Sequence, residues 1–137
     1  MYEMTLEEAR VERLSEVTAF VDGALEEAGC SVRAQMQIDV AVEEIYVNIA
    51  SYAYAPGFGP ATIRLEFQDA PRAVAITFID HGVHYDPLAK PDPDITLSAE
   101  ERKIGGLGIY MVKKSMDGMT YAYEDGRNVL TITKHID

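Results

Sequence analysis

Three short stretches of the chain hold side chains whose types and spacing could do chemistry. In Glu44-Ile45-Tyr46-Val47-Asn48 a carboxylate and a carboxamide stand four residues apart, one turn from each other on a helix. The carboxylate can take a proton from an attacking hydroxyl, and the amide oxygen can ligate a hard cation such as Mg²⁺. The pair equally fits a solvated acidic face, since Glu43 adjoins it. In Asp80-His81-Gly82-Val83-His84-Tyr85-Asp86-Pro87 the aspartate closes an apolar run, which puts a carboxylate at the rim of a sheet. It can accept a hydrogen bond from an exocyclic amine such as that of adenine, and Gly82 lets the backbone pass close to a flat ring. The other reading of Asp80 is an Asx turn that ends the strand. In Ile104 to Asp117, finally, Gly105, Gly106 and Gly108 surround Leu107 and run straight into an amphipathic pattern. A glycine turn feeding a helix leaves backbone N–H groups pointing outward. With the helix dipole they favour an anion by roughly 0.3–1 kcal/mol per charge. A glycine-rich cap on a mobile loop is the alternative.

The elements that must position these groups follow from hydrophobic periodicity. Tyr2 to Leu6 reads as a short edge strand. Leu14, Val17, Phe20, Val21, Leu25 and Ala28 recur at helical spacing, which predicts a helix over about Val11 to Ala28, stopped by Gly29. Ser31 can cap a second helix over about Val32 to Tyr54, whose core stripe is Ile38, Val42, Ile45, Ile49 and Ala53. Glu44 and Asn48 lie on a face beside that stripe. After the break at Pro56 to Pro60, Ala61 to Phe67 and Arg72 to Ile79 predict two strands. The second is so continuously apolar that burial on both faces is expected. Asp80 to Lys103 carries Pro87, Pro91 and Pro93 with few hydrophobes, a connection long enough to suggest function or disorder. Beyond the glycine-led helix, Met119 to Glu124 and Asn128 to His135 predict a hairpin about Asp125-Gly126. The order is β-α-α-β-β-loop-α-β-β. This is an α+β, two-layer domain with a mixed, mostly antiparallel sheet covered on one face by helices.

Bulk properties narrow the function. The 137 residues suit one compact domain, 1–137. A net charge of −11 argues against nucleic acid and anionic membrane surfaces, and leaves a basic protein partner plausible. Cys30 is the only cysteine, so neither an intramolecular disulfide nor a cysteine-based zinc site is expected. The N-terminus does not resemble a signal peptide, and no run approaches the ~18–20 apolar residues of a membrane span, so a cytoplasmic protein is expected.

Taken in order, the motifs are E-x-x-x-N, then D-x-G-x-x-Y-D-P, then G-G-x-G. Together they resemble the GHKL ATPase superfamily (the Bergerat, or histidine-kinase-like, fold) over essentially Val11 to Lys134. The compact size and near-complete aspartate motif look most like its stand-alone anti-sigma factor serine/threonine kinases. The resemblance implies ATP lying across the sheet under a lid over about 88–104. It implies Glu44 as general base, Asn48 as Mg²⁺ ligand and Asp80 as reader of the adenine amine, with Gly82 near the base. Gly105, Gly106, Leu107 and Gly108 would form the phosphate loop, with Arg102 and Lys103 available to phosphate charge. Three positions depart from the common pattern. Tyr52 stands where a histidine is often found, and His84 where proline is frequent. Asn128 falls about where many members place a threonine that helps hold adenine.

The length leaves no room for a dimerisation helix pair or a sensor, so the expectation is a single-domain ATP binder acting on a partner. The resemblance implies transfer of the γ-phosphate to a serine of an anti-anti-sigma (STAS-like) protein, with a sigma factor as a possible second partner. Related proteins are often homodimers. The alternative is a nucleotide-gated protein-binding module with little or no kinase activity.

Overall fold

The computed structural model describes residues 1–89 and 106–137. The expected lid therefore falls outside the described residues except for Leu88 and Ala89, as do Arg102, Lys103 and Gly105. Five strands form one sheet in the order β1-β2-β3-β5-β4: β1 Tyr2–Leu6, β2 Ala61–Asp69, β3 Arg72–Asp80, β4 Gly118–Glu124 and β5 Arg127–His135. Helices α1 Leu14–Glu27, α2 Val32–Asn48 and α3 Gly106–Ser115 supply the second layer. Among the described residues every pairing is antiparallel, so the sheet expected as mixed and mostly antiparallel is antiparallel throughout them. The physical reason is the order of insertion. The β4–β5 hairpin docks through β5, so β4, which runs parallel to β3, never touches it.

The helix ends follow their sequence signals. Gly29, at φ +75°, turns the chain out of α1, and the Ser31 hydroxyl accepts from the Ala34 N–H at 3.2 Å to start α2. The first helix is shorter than expected, because Val11–Arg13 form a separate 3₁₀ turn. Asp125 and Gly126, at φ +53° and +75°, close the β4–β5 hairpin, the backbone such two-residue turns need.

The core lies between the layers. Val17, Val21 and Leu25 of α1 and Ile38, Val42 and Ile45 of α2 pack onto Ile63, Leu65, Val74, Ile76, Phe78 and Ile132 of the sheet. The opposite face carries polar cross-strand pairs instead: Thr5 with Thr62 at 3.0 Å, Arg64 with Glu3 at 2.6 Å, and Thr77 with Thr131 at 3.1 Å. β3 is thus not buried on both faces throughout. Ala75 and Thr77 remain half-buried, because helices cover only one side of an antiparallel sheet and the outward residues here are small.

Two carboxylates meet across the α1–α2 seam. Burial, a hydrogen bond that the protonated Asp39 carboxyl donates to Asp22, and the charges of Asp22 and Glu26 push the Asp39 carboxyl from 3.8 up to about 7. The folded chain then holds a proton that the unfolded chain has released, so this group's stabilisation is lost as pH rises from about 4 to about 7. In urea unfolding, Asp39→Asn should gain stability over the parent at pH 8 and show a smaller gain at pH 4.5. An equal difference at both pH values would rule the shared proton out.

Candidate functional site

The second expected helix does not run unbroken to Tyr54. α2 stops being α-helical at Asn48, and Ile49–Ala53 form a wider π turn. Such insertions re-aim the residues that follow and are frequent at functional sites. Here the wider turn brings Ile49, Tyr52 and Ala53 into the wall of a cavity of about 520 Å³. Its other walls come from the sheet (Phe78, Asp80, Asn128, Leu130), the loop after β3 (Val83 to Tyr85) and Ile109 of α3. The size and the mostly apolar lining, with few polar groups, suit a small-molecule site.

The polar groups at the sheet end of this cavity are tightly connected. Asp80 is the last residue of β3, and its cross-strand partner in β5 is Asn128. Both are only 6% exposed. Asn128 Nδ2 donates to Asp80 Oδ1 and to the Val83 carbonyl, each at 2.9 Å. Its Oδ1 accepts from the Tyr85 N–H at 3.1 Å and from the Tyr121 hydroxyl. The orientation of the amide follows from chemistry. A carboxylate and a carbonyl can only accept, so they must face the NH₂ group. Burial raises the Tyr121 phenol and keeps it a donor, helped by the nearby Asp86 and Asp80 charges and opposed by its contact with the Tyr85 backbone. Asn128 therefore spends its side chain on building the site and has little left for a ligand. Asp80 Oδ1 takes a further bond from the Gly82 N–H at 2.9 Å. Both described bonds fall on the same oxygen, which leaves Oδ2 as the acceptor available to the cavity.

Gly82 makes a close approach within the protein itself. A Cβ there would overlap Ala53, lying 2.6 Å from its carbonyl carbon and nearer still to the oxygen. The neighbouring Val83 N–H donates to the same Ala53 carbonyl at 3.0 Å. The close approach made by Gly82 is thus to the backbone that ends the π turn, and Gly82 is not part of the cavity wall. This contact ties the loop after β3 to the end of α2.

Glu44 and Asn48 occupy one side of α2, both half-buried, as their spacing predicts. Asn48 lines the cavity; Glu44 does not. The Glu44 carboxylate instead abuts Gly108 in the first turn of α3, where a Cβ would lie 2.8 Å from its Cδ and closer to Oε2. Of the expected phosphate loop, Gly106 and Leu107 form the start of α3. The structure thus gathers Asn48, Asp80 and Asn128 around one cavity, and sets Glu44 and Gly108 against each other on its α2–α3 side.

Sequence reasoning missed the aromatic rim. His84 stacks on Tyr123 with ring centroids 4.3 Å apart and planes at 28°, and lies 6.1 Å from Tyr121. Tyr121 and Tyr123 alternate on β4 and so share one face. That period-two signal was readable, but it does not say which loop the face meets.

Known proteins resemble this chain over most of its length. Residues 8–134 match the histidine kinase-like ATPase domain family. The chain is 32% identical over 105 residues to the serine/threonine-protein kinase BtrW of Bordetella bronchiseptica, covering 77% of this chain and 73% of that protein. It is 26% identical over 121 residues to the serine-protein kinase RsbW of Listeria monocytogenes, covering 85% and 76%. Among solved structures, that of the RsbU and RsbW domains of Rv1364c from Mycobacterium tuberculosis superposes with a TM-score of 0.64 at 16% identity. It covers 99% of this chain and 33% of that longer one. The fold agrees with that of the solved neighbour, and the matched span 8–134 contains all three motifs. The chain belongs to the histidine kinase-like ATPase domain family.

Proposed function

We propose that the chain is an ATP-dependent serine/threonine protein kinase of the anti-sigma type, acting on a serine of an anti-anti-sigma (STAS-like) protein. The observation that carries this reading is the placement of Glu44. Its carboxylate sits against the glycine-built first turn of α3, one helical turn from the cavity-lining Asn48. A terminal phosphate held by the N–H groups at the head of α3 would lie beside that carboxylate. The hydroxyl oxygen of the acceptor serine then bonds to the γ-phosphorus as the bond to the β–γ bridging oxygen breaks. ADP leaves, and the hydroxyl proton passes to Glu44. The Asn48 amide oxygen is a hard donor of the kind Mg²⁺ takes, with phosphate oxygens and water completing the shell. Bound there, the cation would neutralise phosphate charge that an acidic protein cannot offset alone. Asp80 Oδ2 accepts from the adenine amine, and Asn128 holds that carboxylate and the Val83–Tyr85 loop in place.

The test has two stages. Thermal unfolding with Mg-ATP, Mg-GTP and Mg²⁺ alone should show stabilisation by ATP of ~2.7 kcal/mol at about 100 times its dissociation constant. Mass spectrometry should then find phosphate on serine in at least one of a panel of purified STAS domains. Stabilisation by ATP with no transfer to any of them would replace the kinase reading with a nucleotide-gated binding module. No stabilisation at all would overturn both.

The adenine contact makes a sharper prediction. Because two donors pin Asp80 Oδ1, Asp80→Asn must turn its own oxygen toward them and present its NH₂ group to the cavity. A donor there opposes the adenine amine and suits the carbonyl of guanine. ATP affinity should fall about 10–100-fold, the cost of roughly 1–3 kcal/mol for a mismatched buried polar pair, while GTP gains. An unchanged ATP-over-GTP ratio in competition binding would remove Asp80 from base recognition.

A further inference from the structure

α2 presents to solvent a row of aliphatic side chains that the core does not use. Val32, Met36 and Val40 recur every four residues and are 77%, 65% and 56% exposed. The next step of four is Glu44. Four-residue steps wind only about 40° around a helix, so the row leads along one side of α2 to the carboxylate. At 1.5 Å per residue, Val40 lies roughly 6 Å and Val32 roughly 18 Å from Glu44 along the axis. On α3, Met111, one turn beyond the Gly108 that abuts Glu44, is also 53% exposed. Isolated exposed hydrophobes are ordinary, but a periodic row that ends at a reactive group is the pattern of an interaction surface.

Charge selects the occupant. Glu43 is exposed on the solvent side of α2 beside Val40, and the whole chain carries −11. Arg33 is also exposed beside the row, but the whole-chain charge sets a second copy, or an anionic membrane, against like charge. A protein with an apolar patch and a Lys or Arg at its margin meets both features. We propose that this row is the docking ridge for the protein substrate: it seats an apolar surface next to the acceptor serine or threonine, opposes a basic margin residue with Glu43, and so delivers the hydroxyl to Glu44. This rests on the kinase reading above and extends it to how the substrate is chosen.

The test is steady-state phosphorylation, by the full chain, of the STAS domains that accept phosphate, with the parent compared against Met36→Asp/Val40→Asp. These side chains already face water, so the melting temperature and Mg-ATP affinity should stay at parental values. KM for the protein substrate should rise at least tenfold with kcat nearly unchanged, the signature of lost docking. Milder Met36→Ala/Val40→Ala should raise KM less, in the same direction. Unchanged KM in both variants would overturn the ridge and leave the kinase reading standing. Absence of transfer by the parent, with ATP still bound, would instead sink the kinase reading and the ridge with it. Sedimentation supplies the remaining outcome: if the Asp variant breaks a parental dimer without altering KM, the row joins copies of this chain and the proposal falls.

Discussion

Glu44→Gln should bind Mg-ATP as the parent does and lose phosphoryl transfer by roughly 10²–10⁴-fold, the usual contribution of a positioned general base. The two effects separate because Glu44 takes no part in the cavity wall, whereas Asn48, one turn on, does. Removing the carboxylate leaves the groups around Asp80 and Asn128 untouched, so nucleotide recognition keeps its whole framework. Gln preserves the size of the side chain against Gly108, which keeps α3 in place. It cannot take the hydroxyl proton. Single-turnover transfer to a STAS domain, with ATP affinity measured by calorimetry, checks both halves. If Glu44→Gln lost ATP binding and transferred phosphate normally from the residual complex, the carboxylate would be a ligand-positioning group and the base would lie elsewhere.

How much of this was legible in the sequence depends on the range of the interactions involved. Local signals were read correctly where local chemistry decides them: the Ser31 cap, the Gly29 stop and the Asp125-Gly126 turn follow from backbone torsions and near-neighbour hydrogen bonds. The spacing of Glu44 and Asn48 placed them together, because four residues on a helix admit one geometry. The π turn after Asn48 could not be read, since it is tied to a tertiary contact in which Gly82 and Val83 meet the Ala53 carbonyl from another part of the chain. The apolar run of β3 was misleading because two of its outward positions, Ala75 and Thr77, are small residues that tolerate partial exposure. Asn128 was picked out as a position where the chain departs from the family pattern. What the sequence could not show is that all four of its hydrogen bonds go to the protein. That assignment needs the cross-strand register, which pairs it with Asp80. The pairing of Gly108 with Glu44 is of the same kind, a contact between motifs that lie far apart in the chain.

That contact supports the second large effect. Gly108→Ala should leave the fold as stable as the parent or more so, and still lower phosphoryl transfer by roughly 10²-fold or more, toward the loss expected without the base. Two terms set the stability. Alanine is preferred over glycine within a helix by about 0.8–1.0 kcal/mol, which favours the variant. Against it stands the new Cβ, 2.8 Å from Glu44 Cδ and nearer to Oε2. The atoms it meets are the far end of a flexible side chain, so the carboxylate can swing away at little cost and the helix need not move. The same swing takes the proton acceptor from its place, so function is lost where stability is not. A double-mutant cycle isolates this cause. In a Glu44→Ala background the obstructing carboxylate is gone, so adding Gly108→Ala should cost almost no further activity. If the two losses multiplied instead, Gly108 would act on the nucleotide independently of Glu44. If Gly108→Ala transferred phosphate at the parental rate, the carboxylate would not need its seat at the head of α3, and the role assigned to Glu44 would fall with it.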